Sequence, residues 1–177
     1  MAATMEGAMR LGVIRTGGEG VADAALVRLA EALAAEGRQV IGAVQSRPGG
    51  SCADEMALRL LPEGRQICIS QDLGPAAEGC RLDAHALEQA VAGIEAAFAE
   101  GGADLVIVNR FGKLEAEGRG FAGLIARALE VGVPVICGLA PKLEPAFAAY
   151  AGDLAQDLPA DATALGDWWA RAMATAA

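Results

Sequence analysis

The sequence ADLVIVNRFGKLEAEGRGF, residues 103–121, decides the fold and carries the densest polar chemistry of the chain. Leu105 to Val108 is a continuous apolar run, which is typical of a strand buried on both faces of a parallel sheet. The next eleven residues, 109–119, hold six charged or amide side chains, with glycines among them. Ligands of open α/β sheets bind at the carboxyl ends of strands, so this stretch is the first candidate site. The alternative is a solvated loop that carries charges.

Length and composition indicate one folded domain over residues 1–177. Hydrophobic residues make up 54% of the chain and charged residues 21%, as in folded globular proteins. No apolar run approaches the roughly 20 residues that span a bilayer, and the first residues do not resemble a secretory signal, so we expect a cytoplasmic protein. The net charge of −9 argues against nucleic acid and anionic membranes as partners. The sequence leaves open whether the chain forms a homo-oligomer.

The hydrophobic pattern alternates between strands and helices, which predicts an α/β fold with a mostly parallel sheet. Pro62 to Arg65 is a turn of hairpin length and predicts one antiparallel pair. The predicted strands are 9–14, 40–44, 56–61, 66–70, 105–108 and 133–139, and the predicted helices are 24–34, 84–100, 121–129, 145–150 and 161–173.

A glycine-rich turn follows the first strand, at residues 16–23. A strand, a glycine-rich loop and a helix together form the geometry of a phosphate-binding site, although such loops also serve as ordinary connections. A working Walker A loop would end in Gly-Lys-Ser/Thr, whereas Val21 and Ala22 follow Gly20 here. Glu19 adds negative charge to the loop. We therefore expect no Mg-dependent hydrolysis of nucleoside triphosphates.

The order of elements resembles the small P-loop nucleoside-triphosphatases of the thermophile type. Their Walker B strand ends in an Asp-Glu-Ile-Gly-x-Met-Glu pattern, to which residues 109–115 correspond. Gly112 and Glu115 match this pattern, whereas Asn109 and Arg110 replace its acidic pair. The resemblance implies a three-layer P-loop NTPase-like sandwich.

Four phrases are also similar to a bacterial family of unknown function in the P-loop superfamily, which is often encoded near molybdate transport genes. They are CADEM at 52–56, ISQDLG at 69–74, GCRLD at 79–83 and NRFGKLEAEGRGF at 109–121. This resemblance covers residues 9–169. It implies the fold and, by association, a link to molybdenum.

The predicted ligand site combines the glycine-rich turn with the polar stretch. Asn109 replaces a carboxylate by a neutral amide, which does not repel an anion. We expect the first strand and the 105–108 strand to be neighbours, so that Lys113 and Arg119 close over an anion beside the turn. The alternative pairs these two cations with Glu115 and Glu117 as surface ion pairs. The full predicted set is Gly17, Gly18, Gly20, Gln71, Asp72, Asn109, Lys113, Glu115 and Arg119.

The cysteines suggest a second, weaker hypothesis. Cys52, Met56 and Cys80 could offer two thiolates and a thioether to a soft metal such as Cu(I), although free cysteine is also a common buried residue. No CxxC spacing is present. Cys68 and Cys137 lie in apolar strands and are predicted to be buried in the core. The sole histidine, His85, is predicted to lie on the surface.

These observations favour a cytoplasmic binding protein for a small anionic ligand, such as molybdate or a related oxyanion. One alternative is a divergent nucleotide-binding phosphohydrolase or transferase, and the other is a regulatory or interaction subunit with a vacant site. The sequence identifies no cofactor.

Overall fold

The structure, a computed structural model, describes residues 9–15, 20–46, 57–71, 76 and 82–175. The strands are β1 Leu11–Arg15, β2 Val40–Ser46, β3 Ala57–Leu61, β4 Gln66–Cys68, β5 Leu105–Phe111, β6 Val135–Leu139 and β7 Ala155–Asp157. The helices are α1 Val21–Ala35, α2 Ala84–Gly101, α3 Lys113–Ala116, α4 Ala122–Glu130, α5 Glu144–Ala151 and α6 Ala162–Ala174, with 3₁₀ turns at Pro141–Leu143 and Gly152–Leu154.

The described strands form a seven-stranded sheet in the order β4-β3-β2-β5-β6-β1-β7. The pairings β2–β5, β5–β6, β6–β1 and β1–β7 are parallel, whereas β2–β3 and β3–β4 are antiparallel. The predicted α/β class, the mostly parallel sheet and the small hairpin are therefore confirmed.

Each face of the sheet has its own apolar cluster, so the protein has three layers. One cluster joins Val106 and Val108 of β5 to α2, α4 and α5. The other joins Leu105 and Ile107 to α1 and α6, including the buried Trp168. The alternation of β5 side chains between the faces is what a central parallel strand requires.

The predicted neighbour of the first strand is wrong, because β6 lies between β1 and β5. The first turn of α1 nevertheless reaches the end of β5 by passing over β6 at Gly138. A Cβ atom at this glycine would lie 2.7 Å from the backbone oxygen of Asn109 and 3.7 Å from Cβ of Ala22 in α1. Helix α1 and β5 can approach each other because Gly138 has no side chain.

Three further details depart from the sequence-based expectation. Cys68 is exposed and disulfide-bonded, whereas Cys137 is free and buried as predicted. Cys68 lies in the short outer strand β4, where no further strand of the described chain covers it. The pattern also missed β7 and α3, which contain only three and four residues. Elements this short carry no measurable periodicity.

Among the described helices, none combines the length and apolar character needed to cross a membrane. His85 lies near the start of α2 and is exposed, as predicted.

We predict that Gly138→Ala lowers the free energy of unfolding by about 1–3 kcal/mol, the usual effect of forcing an extra methyl group into a packed interior. The new Cβ would push the backbone of Asn109 away from β6. Urea denaturation of both proteins measures the difference.

Gly166→Ala is the matched control. Gly166 lies within α6, and a Cβ there meets no heavy atom within 4 Å. Alanine favours helix over glycine, so this variant should be unchanged or more stable by up to about 1 kcal/mol. Equal stability of the two variants would show that the contact at Gly138 is not restrictive.

Candidate functional site

A β-bulge in β5 shapes the carboxyl edge of the sheet. The register of β5 against β6 shifts between Val108, which pairs with Cys137, and Phe111, which pairs with Leu139. Val108 and Phe111 both pack into the α2 side of the core, although strict alternation would place them on opposite faces. The bulge therefore allows the side chains of the two residues between them, Asn109 and Arg110, to lie on the same face of the sheet.

Asn109 is 6% exposed, and its side chain joins β5 to β2 and α1. Its Oδ1 accepts a hydrogen bond from the backbone N–H of Gln45, at the end of β2, at 2.7 Å. Its Nδ2 donates to Oδ1 of Asp23 in α1 at 3.2 Å and to Oε1 of Gln45 at 3.3 Å. Both N–H groups of the amide are thus directed to protein acceptors. In this arrangement Asn109 positions its neighbours.

Arg110 shares the same carboxylate. Its NH2 lies 3.4 Å from Oδ2 of Asp23, and its side chain is 52% exposed. Asp23 stands in the first turn of α1, just after Gly20, whose φ of 82° is in the left-handed region. Asn109 and Arg110 therefore converge on one helix start, where the helix dipole is positive.

Glu115 is 3% exposed and fastens the next segment of chain to the opposite face of the sheet. Its Oε2 accepts from the N–H of Gly112 at 2.9 Å, and its Oε1 accepts from the N–H of Phe121 at 3.0 Å. Phe121 and Leu114 pack into the α2 side of the core. The carboxylate thereby joins the two ends of the loop 112–121.

The two predicted cations of this loop are paired within the protein. Lys113 is 79% exposed, with its Nζ 3.9 Å from Oε1 of Glu117. Nε of Arg119 lies 3.5 Å from Oε1 of Glu88 in α2, which also accepts from the N–H of Gly120. Arg119 therefore stands on the α2 side of the sheet, across from α1, beside an open groove of about 420 Å³. This corresponds to the ion-pair alternative, with Glu88 in place of Glu115. Whether either cation binds a ligand stays a prediction.

A third arginine lies at the carboxyl end of β1. Nε of Arg15 donates to both carboxylate oxygens of Glu144, at 2.8 and 3.0 Å. Its NH1 pairs with Oδ1 of Asp157 in β7. Arg15 thus links β1 to α5 and β7.

Several predicted site residues lie outside the part of the chain that the structure describes. They are Gly17, Gly18, Asp72 and the candidate metal ligands Cys52, Met56 and Cys80. Gln71 is described; it is exposed and follows Ser70, which bridges to Leu82 beyond the hairpin. Within the described ranges, no group of three or more His, Cys, Asp or Glu side chains could hold a metal ion.

The sequence analysis did not include Asp23, Gln45 or Arg110 in the predicted site. Asp23 was detectable as an acidic residue in the first turn of a predicted helix, which is a favoured position. The hydrogen bond between Asp23 and Asn109 was not detectable from the sequence, because it depends on the passage of α1 over Gly138.

Two groups beneath this edge have altered ionisation. Burial raises the pKa of the Cys137 thiol to about 12, and the Glu115 carboxylate nearby adds to this. Burial also raises the pKa of Tyr150 to about 12, while its hydroxyl donates to the backbone oxygen of Ala122 at 2.8 Å. Both groups stay neutral near pH 7.

Comparison with known proteins identifies the family of this chain. Residues 11–168 match the family described as "Protein of unknown function (DUF2478)". The chain belongs to this family. Over 149 residues, 83% of the chain, it is 33% identical to the Molybdenum import ATP-binding protein ModC 2 of Bradyrhizobium diazoefficiens. The chain spans only 16% of the length of that relative.

A solved structure shares the fold. The protein THEP1 from the hyperthermophile Aquifex aeolicus matches 85% of this chain and 88% of its own, with a TM-score of 0.52 and 16% identity. This match shows that the chain has a P-loop NTPase-like fold.

We predict that Glu115 makes the stability of the protein depend on pH. Burial raises its pKa above the ordinary 4.5, the hydrogen bonds from Phe121 and Gly112 oppose this, and the Glu88 carboxylate adds to the increase. The folded protein therefore holds this proton more tightly than the unfolded chain. Glu115 therefore makes its full contribution to the free energy of unfolding below pH 4.5, and this contribution is lost as pH rises through the raised pKa of Glu115.

Urea denaturation of wild type and Glu115→Gln between pH 4 and 8 tests this. The wild-type free energy of unfolding minus that of the variant should fall as pH rises above 4.5, by at most about 1.4 kcal/mol per pH unit. Glu117→Gln removes an exposed carboxylate from the same loop and should show little of this trend. A difference that is constant or grows with pH would contradict the assignment.

We also predict that Cys137 resists alkylation in the native state, since its thiol is fully buried and its pKa is raised to about 12. Iodoacetamide at pH 8 followed by peptide mass spectrometry should label it only after urea is added. Native labelling as fast as in urea would mean that the β6 core opens readily.

Proposed function

We propose that this cytoplasmic protein binds a small oxyanion, molybdate or a close relative, at the carboxyl edge of the sheet beside the start of α1, and that it does not hydrolyse nucleoside triphosphates. The observation that carries the proposal is the similarity of 83% of the chain to part of a protein named for molybdenum import. Molybdate is a small tetrahedral dianion, which suits a site made of backbone N–H groups and one or two cations.

The described geometry supports this location. Arg110 presents a half-exposed guanidinium next to the first turn of α1, and the helix start adds partial positive charge. A planar guanidinium can donate two parallel hydrogen bonds to an oxyanion. The hydrogen bond from Asn109 holds the end of β5 against α1 and so fixes the backbone position from which the Arg110 side chain extends.

The residue types at the helix start support binding without hydrolysis. Val21 and Ala22 hold the first two positions of α1. Neither side chain can supply the ammonium group or the Mg²⁺-binding hydroxyl that phosphoryl transfer uses. The proposal therefore favours a ligand that is bound and released unchanged.

Lys113 remains proposed as an outer cation of the site, whereas Arg119 stands across the sheet from the start of α1. Lys113 is exposed and weakly paired, so a ligand could draw it away from Glu117 at little cost. Arg119 is paired with Glu88 on the α2 side. We therefore expect smaller effects from these two residues than from Arg110.

Calorimetric titration with molybdate, tungstate, sulfate and phosphate tests the proposal. Arg110→Ala should weaken molybdate binding by about 1–3 kcal/mol, the usual loss of a charge-assisted hydrogen bond. Lys113→Ala and Arg119→Ala should weaken it less. Arg127→Ala, which removes an exposed cation at the end of α4, is the matched control and should bind as the wild type does.

Two results would refute the proposal. One is the lack of binding of every oxyanion by the wild type. The other is steady hydrolysis of ATP or GTP with Mg²⁺ at about 1 per second or faster, within the usual range of enzymes, which would favour the phosphohydrolase alternative.

A further inference from the structure

The Asp23 carboxylate already occupies the donors that an anion at this edge would use. Oδ1 accepts from Nδ2 of Asn109 at 3.2 Å, and Oδ2 lies 3.4 Å from NH2 of Arg110. The two oxygens thus engage two successive residues of the β5 bulge. The Asp23 side chain is only 15% exposed, so water screens its charge incompletely.

The position of Asp23 in α1 strengthens this competition. It is the third residue of a 15-residue helix, within the first turn, where the dipole stabilises negative charge. A carboxylate there and an oxyanion bound beside it draw on the same positive field. They also repel each other, since like charges a few ångströms apart interact unfavourably even at the protein surface.

We infer that Asp23 determines the affinity and charge selectivity of the oxyanion site, because its carboxylate acts as an internal competitor for Arg110 and the start of α1. This inference rests on the proposed function. Its consequence is that removing the charge of Asp23 strengthens anion binding, although the substitution also removes an ion pair from the fold.

Charge selectivity separates this role from a structural one. Repulsion from Asp23 grows with the charge of the ligand, so a dianion is affected more than a monoanion of the same shape. Molybdate and perrhenate are both tetrahedral oxyanions, with charges of about −2 and −1 near neutral pH. A merely structural role of Asp23 would change the affinity for both in the same proportion.

The experiment is calorimetric titration of wild type and Asp23→Asn with molybdate and with perrhenate. We expect Asp23→Asn to bind molybdate roughly tenfold more tightly or better, as relief of a like-charge contact predicts, with a smaller gain for perrhenate. Asn retains a carbonyl oxygen that can accept from Asn109. Should Asp23→Asn fail to fold, Asp23→Ser removes the same charge and keeps a small acceptor.

Two further variants complete the test. Asp167→Asn removes one negative charge from the exposed side of α6 and should leave both affinities unchanged. In the double variant Asp23→Asn with Arg110→Ala, the gain should be smaller than in Asp23→Asn alone, because the guanidinium released by the first change is absent.

Each outcome has one meaning. Tighter molybdate binding by Asp23→Asn than by wild type supports the inference. If Asp23→Asn binds molybdate and the wild type binds no oxyanion, the inference is supported but the proposed function is refuted. Binding by the wild type with equal or weaker binding by Asp23→Asn refutes the inference alone. A failure of both proteins to bind molybdate and perrhenate refutes both. Equal gains for the two anions, or a gain that Arg110→Ala does not reduce, would also overturn the inference.

Discussion

The hydrogen bonds of the Asn109 side chain hold the carboxyl edge of the sheet together. One amide group satisfies the backbone N–H of Gln45 and donates to Asp23, so β2, β5 and α1 meet at a buried point. A polar group at this depth stabilises the fold only when its hydrogen bonds are made. No buried side-chain nitrogen or oxygen among the described residues lacks a partner. This amide therefore fixes the first turn of α1 against the ends of β2 and β5.

The bulge in β5 and the glycine in β6 are two parts of the same arrangement. The bulge turns Asn109 and Arg110 toward Asp23 and returns Phe111 to the other face, where its ring packs edge-on against Phe147 at 5.1 Å. Gly138 lies opposite the bulge and leaves room for α1. Beyond Phe111, the buried Glu115 fixes the loop 112–121 against the α2 layer. The polar stretch of sequence is thus divided between the two faces of the sheet.

The sequence predicted most of the helices and strands but not the geometry of the site, for a physical reason. Long apolar runs and helical periodicity report burial, which is why α2 and the hairpin were predicted close to their observed bounds. Strand β5 runs three residues beyond the predicted 105–108, because its last part contains the polar residues Asn109 and Arg110. Strand order and side-chain direction depend on packing between distant segments. The insertion of β6 between β1 and β5 has no local signal. The direction of Arg119 toward Glu88 follows from the bulge and from the anchoring of Glu115, which one-dimensional spacing does not encode.

Asn109 stands where the resemblance to the thermophile-type nucleoside-triphosphatases implies an acidic residue, and Asp23 offers a structural explanation for this difference. The amide nitrogen of Asn109 lies 3.2 Å from a carboxylate oxygen of Asp23, in a position that is 6% exposed. An aspartate at 109 could still accept from Gln45, but it would bring a second carboxylate against the first, and a cation would be needed to offset their repulsion. With an amide at 109, one of its N–H groups bonds to the helix beside the Arg110 contact, and the negative charge stands on α1. The identities of residues 23 and 109 are therefore coupled, and an edge built on this amide–carboxylate pair needs no divalent cation to hold β5 against α1.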